Sequence, residues 1–340
     1  FLLISKMRQI INYINIQSMS VLIQELLITQ QHFSNFDVFS SAISGYEMEV
    51  NQIGRGAFSA YIQQIQCGAI SISRFTGRLR VEAKGMPPPG MRTFGIPTKS
   101  CQPFIWRDKQ TSGDTIQIYK PDTELSMITN PVFEAIDISL TEDNFNNLNN
   151  IWGFPNLVKL IQNREMVKCE PAKMQQLREL LIYICSTIDR EPDRLQQDTT
   201  LQNLISYQVP YLLAKTLMTS TVHKDKATTE KRNETIKSVI DYIRSSTDLV
   251  ISIEQLCQEI SINKRTLERA FLDKYGMTPK SYLQSLRLND AYKTLLHSDP
   301  ETTKITDVAL SLGYWHMSQF AVDYRRQFGE LPSATLKSSR

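Results

Sequence analysis

The feature that most constrains this chain is a pattern near its C-terminus that repeats at an offset of 53 residues. Leu267, Phe271, Gly276, Pro279 and Leu283 return as Phe320, Tyr324, Gly329, Pro332 and Leu336, with the same gaps. In each copy two apolar residues four apart mark one face of a helix. A Gly five residues on ends that helix, and a Pro three further starts the next. Each copy follows a shorter amphipathic stretch, Ile253/Leu256/Cys257/Ile260 in the first and Ile305/Val308/Ala309/Leu312 in the second. Helix, tight turn, helix, then Gly and Pro, twice over, reads as two helix-turn-helix units, at 253–274 and 304–327. Pro279 to His297, with Leu283, Leu286, Ala291 and Leu295 facing in, reads as the helix that joins them. Ile236/Val239/Ile240/Ile243 reads as a helix leading into the first unit.

At 340 residues the chain has room for two or three domains. An apolar fraction of 41% and a charged fraction of 21% are ordinary for a soluble globular protein. The net charge of +3 is too small to argue for an anionic partner, so its distribution matters more. Residues 261–340 carry twelve Lys and Arg against eight Asp and Glu, a net of +4, and the rest of the chain stands at −1. This mild basic bias is consistent with DNA contact. The five cysteines are odd in number and scattered, which argues against a disulfide framework or a Cys-based zinc site and fits a reducing cytoplasm. No stretch reaches the roughly 20 apolar residues of a membrane span. The apolar N-terminus is broken by Lys6 and Arg8 and lacks a cleavage site for a signal peptide. Residues 1–18 read equally well as native chain or as sequence upstream of a start at Met19.

The pattern divides the chain into a segment 1–31, a β-rich domain 32–140, a helical region and linker 141–230, and the helical domain 231–340. Short β-branched or aromatic runs at Phe58–Gln66, Ala69–Phe75 and Arg78–Ala83 are split by Gly68 and Gly77 and predict strands. Met91–Ile96, Pro103–Arg107, Thr115–Tyr119, Glu124–Thr129 and Val132–Leu140 continue the series, as in a barrel or sandwich. From Thr141-Glu-Asp-Asn the period becomes helical, with Leu177/Leu180/Leu181/Ile184 on one face. Thr219–Lys231 is poor in apolar residues and reads as a linker, leaving a final domain with apolar faces of its own. The expected fold class is multidomain α+β.

The C-terminal third, about residues 234–336, closely resembles the DNA-binding domain of the AraC/XylS (arabinose-regulator) family of bacterial transcription factors. The matching segments are Arg265-Thr-Leu-Glu-Arg-Ala-Phe271, Gly276-Met-Thr-Pro279-Lys-Ser-Tyr-Leu283 with Arg287-Leu288, and Gly313 to Phe320 through Phe328-Gly-Glu-Leu-Pro332. One departure is Ser261, where the family usually has Gly in the first turn, so that turn is expected to be strained. The resemblance implies a transcription regulator, more often an activator, with double-stranded DNA and RNA polymerase as partners. It also implies a cupin-like N-terminal barrel that senses a small-molecule effector and helices that dimerise the chain; with His32 the only His before His223, no metal or other cofactor is expected.

In such a unit the second helix enters the major groove and the residues off its apolar face reach base edges. The expected contacts in the first unit are Lys264, Arg265, Thr266, Glu268 and Arg269. In the second they are His316, Met317, Ser318, Gln319, Val322 and Asp323, with Arg325 and Arg326 better placed for phosphates. The plain alternative is a solvated helix face. Tyr314 and Trp315 are expected in the core. Arg74, Arg78, Arg80, Arg92, Trp106 and Arg107 could line a pocket for an anionic effector, although exposed strand positions plus one core Trp are the simpler reading. A catalytic protein fused to the same module would need clustered thiolates holding zinc or a His/carboxylate cluster, and the sequence has neither. A structural DNA-bending protein without effector control is the third alternative.

Overall fold

The computed structural model describes residues 26–338 apart from 152, 155, 192–197, 223–226 and 246–250. Residues 1–18 and the candidate start at Met19 lie outside them. The N-terminal half runs β1 (Leu26–Phe33), α1 (Phe36–Ala42), β2 (Glu47–Gln52), β3 (Ala60–Cys67), β4 (Ile70–Gly77) and β5 (Val81–Met86). It continues with β6 (Met91–Pro97), β7 (Ile105–Trp106), β8 (Lys109–Gln110), β9 (Thr115–Tyr119), β10 (Leu125–Ile128) and β11 (Phe133–Thr141). Helices α2 (Glu142–Ile151) and α3 (Leu157–Ile161) precede β12 (Met166–Lys168) and the long α4 (Pro171–Arg190). Then come α5 (Thr199–Asn203), a π turn at Leu204–Gln208, α6 (Val209–Leu217) and β13 (Thr221–Val222). The C-terminal domain comprises α7 (Ala227–Ser245), α8 (Ile253–Glu259), α9 (Lys264–Tyr275), α10 (Pro279–Leu296), α11 (Ile305–Ser311), α12 (Met317–Phe328) and α13 (Pro332–Lys337).

The strands pair antiparallel in two sheets, ordered β1-β3-β4-β11-β6-β9-β12-β13 and β2-β5-β10-β7-β8. No ladder closes one sheet onto the other among the described residues, so two facing sheets stand where a closed barrel was expected. Strand β3 illustrates the layering. Ile65 and Cys67 join a core shared with the helices, while Ala60 and Ile62 point to the opposite side. The large sheet covers one face with α4 and α6, burying Ile72, Phe94 and Ile138 against Leu177, Leu181, Ile184 and Leu213. Its other face looks across a cavity at the small sheet.

Several boundaries move. Strand β1, placed outside the β-rich domain by sequence, pairs along its whole length with β3. Its middle residues are mostly exposed, so it lacks the alternation that marks a strand. The region 141–230 is helical but returns two strands to the large sheet, with Val167 opposite Ile116 and Val222. The stretch read as a linker contributes β13 and the start of α7, and only 223–226, outside the described residues, separates the two.

The last domain is not an isolated body. Phe33, Phe36 and Phe58 share one core with Leu288, Tyr292, Leu295, Phe320 and Phe328. The Phe36 ring lies 4.8 Å from Tyr292 and 5.9 Å from Phe328. Ile53 and Ile128 complete the core of the first helix-turn-helix unit, beside Val239, Leu256, Leu267 and Phe271.

Buried hydrogen bonds reinforce that docking. Gln52 N–H donates to Asn289 Oδ1 at 2.8 Å, and Asn289 Nδ2 donates back to Gln52 O at 2.9 Å. Gln327 Nε2 donates to the same carbonyl at 2.7 Å, while Gln52 Nε2 donates to Gln327 O at 2.6 Å. One strand end thereby grips both α10 and α12. On β5, the buried Glu82 accepts from Tyr282 Oη at 2.6 Å and Tyr275 Oη at 3.4 Å, and Lys84 lies 3.6 Å away.

Candidate DNA-binding face

The two units are built by the same local rules. Ser252 caps α8 with a reciprocal capping box through Gln255, and Asn263 caps α9 by accepting from Thr266 N–H at 2.8 Å. Leu267, Ala270, Phe271 and Tyr275 turn inward, leaving Lys264, Arg265, Thr266 and Arg269 exposed and Glu268 half-buried. Helix α9 ends at Gly276 (φ +67°) and α12 at Gly329 (φ +80°), the left-handed caps expected from the repeat. A side chain at either would also meet the β-rich domain, at Arg80 and Ala57 respectively. Arg80 donates to the Tyr275 carbonyl that ends α9.

Ser261 sits at φ +56° in the first turn, where Gly313 (φ +78°) occupies the second. This backbone is costly for a residue with a Cβ. Ser261→Gly should therefore raise stability by about 0.5–1 kcal/mol, read as a higher urea midpoint with unchanged DNA affinity. An unchanged or lower midpoint would show that the turn is not strained.

In the second unit His316, Ser318, Gln319, Val322, Arg325 and Arg326 are exposed. Two expected contacts leave this face. Asp323 is buried and accepts from Gln284 Nε2 at 2.7 Å, tying α12 to α10. Met317 is half-buried against the unit's core. A helical wheel ranks both as outward because it does not show where the neighbouring helix lies.

Trp315 moves the other way and is 77% exposed, while Tyr314 stays half-buried, its ring 5.1 Å from Phe320. The cause is one extra residue. The turn bonds Ile262 N to Cys257 O and Tyr314 N to Ala309 O are related by 52 residues, whereas the caps Asn263 and His316 are related by 53. Trp315 is the added residue, extruded just before the second recognition helix. Aligning the turns separately from the helices would have found it.

The arginines considered for an anion pocket do not converge. Arg74 pairs with Glu134 (2.6 Å) and Asp189 (3.0 Å), Arg92 with Glu142 (2.7 Å), and Arg107 with Glu165 (2.9 Å). Trp106 is fully buried. Arg74 and Arg78 border an open groove of about 680 Å³, but Glu134 and Asp189 line it too.

Residues 256–338 match a family model described as a helix-turn-helix domain. Over 110 residues the chain is 33% identical to the XylDLEGF operon transcriptional activator of Pseudomonas putida, a match covering 32% of this chain and 34% of that protein. The C-terminal third is a helix-turn-helix domain of the AraC/XylS type. A second relative, the HTH-type transcriptional activator RhaS of Yersinia pestis, is 30% identical over 94 residues, 28% of this chain and 33% of its own length. A solved structure of a probable AraC family transcriptional regulator from Rhodopseudomonas palustris is 36% identical, covering 32% of this chain and 98% of that one, with a TM-score of 0.29. The match spans about a third of the length of these AraC/XylS activators. No described helix is long and apolar enough to cross a membrane.

Proposed function

We propose that this chain is a sequence-specific transcription regulator, an activator, whose two recognition helices α9 and α12 read successive major grooves of double-stranded DNA. The observation that carries this is the duplicated unit. Two helices with inward residues at corresponding positions, the same left-handed glycine end and exposed polar faces are joined by one continuous helix. The proposed contacts are Lys264, Arg265, Thr266, Glu268 and Arg269 in the first unit and Trp315, His316, Ser318, Gln319 and Val322 in the second. Arg325 and Arg326 are assigned to phosphates. Residues 26–222 act as the sensor of a small-molecule effector, their facing sheets serving as the cupin-like domain, and the helical region supports a homodimer. RNA polymerase is the partner in activation.

The test starts from a site selected out of random-sequence duplex. Arg269→Ala should weaken binding to that site by about 1–3 kcal/mol and relax preference at one or two positions. Trp315→Ala should act likewise at a different position, because an exposed indole contacts a thymine methyl or stacks on a sugar. Arg326→Ala should weaken binding to all sequences and flatten the salt dependence by about one unit. Equal, sequence-blind losses from all three would remove the base-reading assignments.

A further inference from the structure

Between the two sheets lies an apolar cavity of about 80 Å³. Tyr46, Phe58, Phe75, Tyr119, Phe133 and Met127 line it, and it contains a single carboxyl group, that of Asp137 on β11. Asp137 is 5% exposed and accepts one hydrogen bond, from Tyr46 Oη at 3.1 Å, with no ion-pair partner among the described residues. A carboxylate in an apolar, aromatic chamber is a costly feature that fold stability alone does not require.

We propose that this cavity binds a small organic cation, an ammonium group on a short apolar body, with Asp137 as its counter-ion. The aromatic walls favour the same ligand, because ring faces attract cations when water is excluded. Size limits the body. The cavity is about half the roughly 150 Å³ that accepts benzene, so a ligand of about four or five non-hydrogen atoms fits the cavity as it stands. No arginine lines this cavity, and Arg74, Arg92 and Arg107 are ion-paired elsewhere.

The site is wired to the first helix-turn-helix unit and the joining helix α10 through alternate residues of the small sheet. On β5, Val81 and Ala83 line the cavity while Glu82 between them takes the hydroxyls of Tyr275 and Tyr282. On β10, Met127 lines the cavity and its neighbour Ile128 lies in the core of the first unit. This inference rests on the reading of residues 26–222 as a sensor and adds the class of ligand sensed.

Binding should depend on pH. Burial pushes the Asp137 carboxyl up to about 7, and the groups facing it are the phenols Tyr46 and Tyr119. The Thr93 and Ser139 hydroxyls, bonded to each other at 2.7 Å, lie beside Tyr46. An ammonium needs the ionised carboxylate, so its affinity should rise on the order of tenfold or more between about pH 5.5 and 8.

The experiment titrates the full chain with n-propylamine, 1-propanol and propionate by ligand-observed NMR, beside Asp137→Asn. The expected result is amine binding at least tenfold tighter than the alcohol, no propionate binding, and loss of the amine preference and of its pH dependence in the variant. Amine binding no tighter than the alcohol, or unchanged in Asp137→Asn, overturns the proposal. The wild-type comparison of three ligands decides the matter even if the variant fails to fold. DNA affinity is then measured with and without propylamine. Binding that leaves DNA affinity unchanged would sink the sensor reading while leaving the ammonium site standing.

Discussion

Inserting about half a helical turn, roughly 5 bp, between the two half-sites of a selected sequence should abolish specific binding by one protomer. The reason is the length and rigidity of α10. Its 18 residues span about 27 Å, and it is held at its start and at its middle. Thr278 caps its start by accepting from Ser281 N–H at 3.2 Å. Further along, Asn289 is clasped by Gln52 and Gln284 by Asp323. A joint held this way presents α9 and α12 at one separation, so both enter the groove only on sites about one helical turn apart, 10–10.5 bp. Half a turn rotates one half-site to the far side of the duplex. The loss should approach the gap between specific and non-specific binding, about 4–10 kcal/mol, and a full-turn insertion should not restore it. Gel-shift titration of the spacing series at fixed salt is the measurement. Retained affinity at the half-turn spacing would mean that only one unit reads sequence.

Asn289→Ala is the substitution expected to damage the protein most outside the DNA face. It removes two hydrogen bonds to the Gln52 backbone and leaves that N–H buried without a partner. The cost should be about 2–4 kcal/mol. Lys293→Ala, one turn away on the same helix and also facing β2, loses contacts to Asn51 and Glu49 at the rim and should cost under about 1 kcal/mol. Urea midpoints and amide exchange at Gln52 separate the two. Equal midpoints would place the docking energy in the aromatic contacts of Phe36, Tyr292 and Phe328 instead. The comparison also bears on modularity. A fragment beginning near Lys231 would expose Leu288, Tyr292, Leu295 and Phe328, which share their core with Phe33, Phe36 and Phe58.

The duplicated unit was legible in the sequence because everything that defines it is local. Helical spacing sets Leu267 over Phe271 and Phe320 over Tyr324, and a glycine, which adopts the left-handed cap at least cost, marks each helix end. Ser261 at positive φ follows from the same local logic. Most strands between Phe58 and Leu140 were legible for a similar reason, since β-branched runs punctuated by glycine need no distant information. What tertiary structure alone decided is where each outward face meets a neighbour. Asp323 faces outward on its own helix and is buried only because α10 brings Gln284 to it. Gln52 and Asn289 are unremarkable polar residues 237 positions apart until docking makes each the other's partner. Asp137 reads as a polar residue in a strand, and becomes a buried carboxylate in an aromatic chamber only when two sheets, drawn from interleaved segments of chain, close around it. Periodicity encodes which side of an element is apolar. It carries no record of what covers the other side, because that depends on contacts between segments the chain holds far apart.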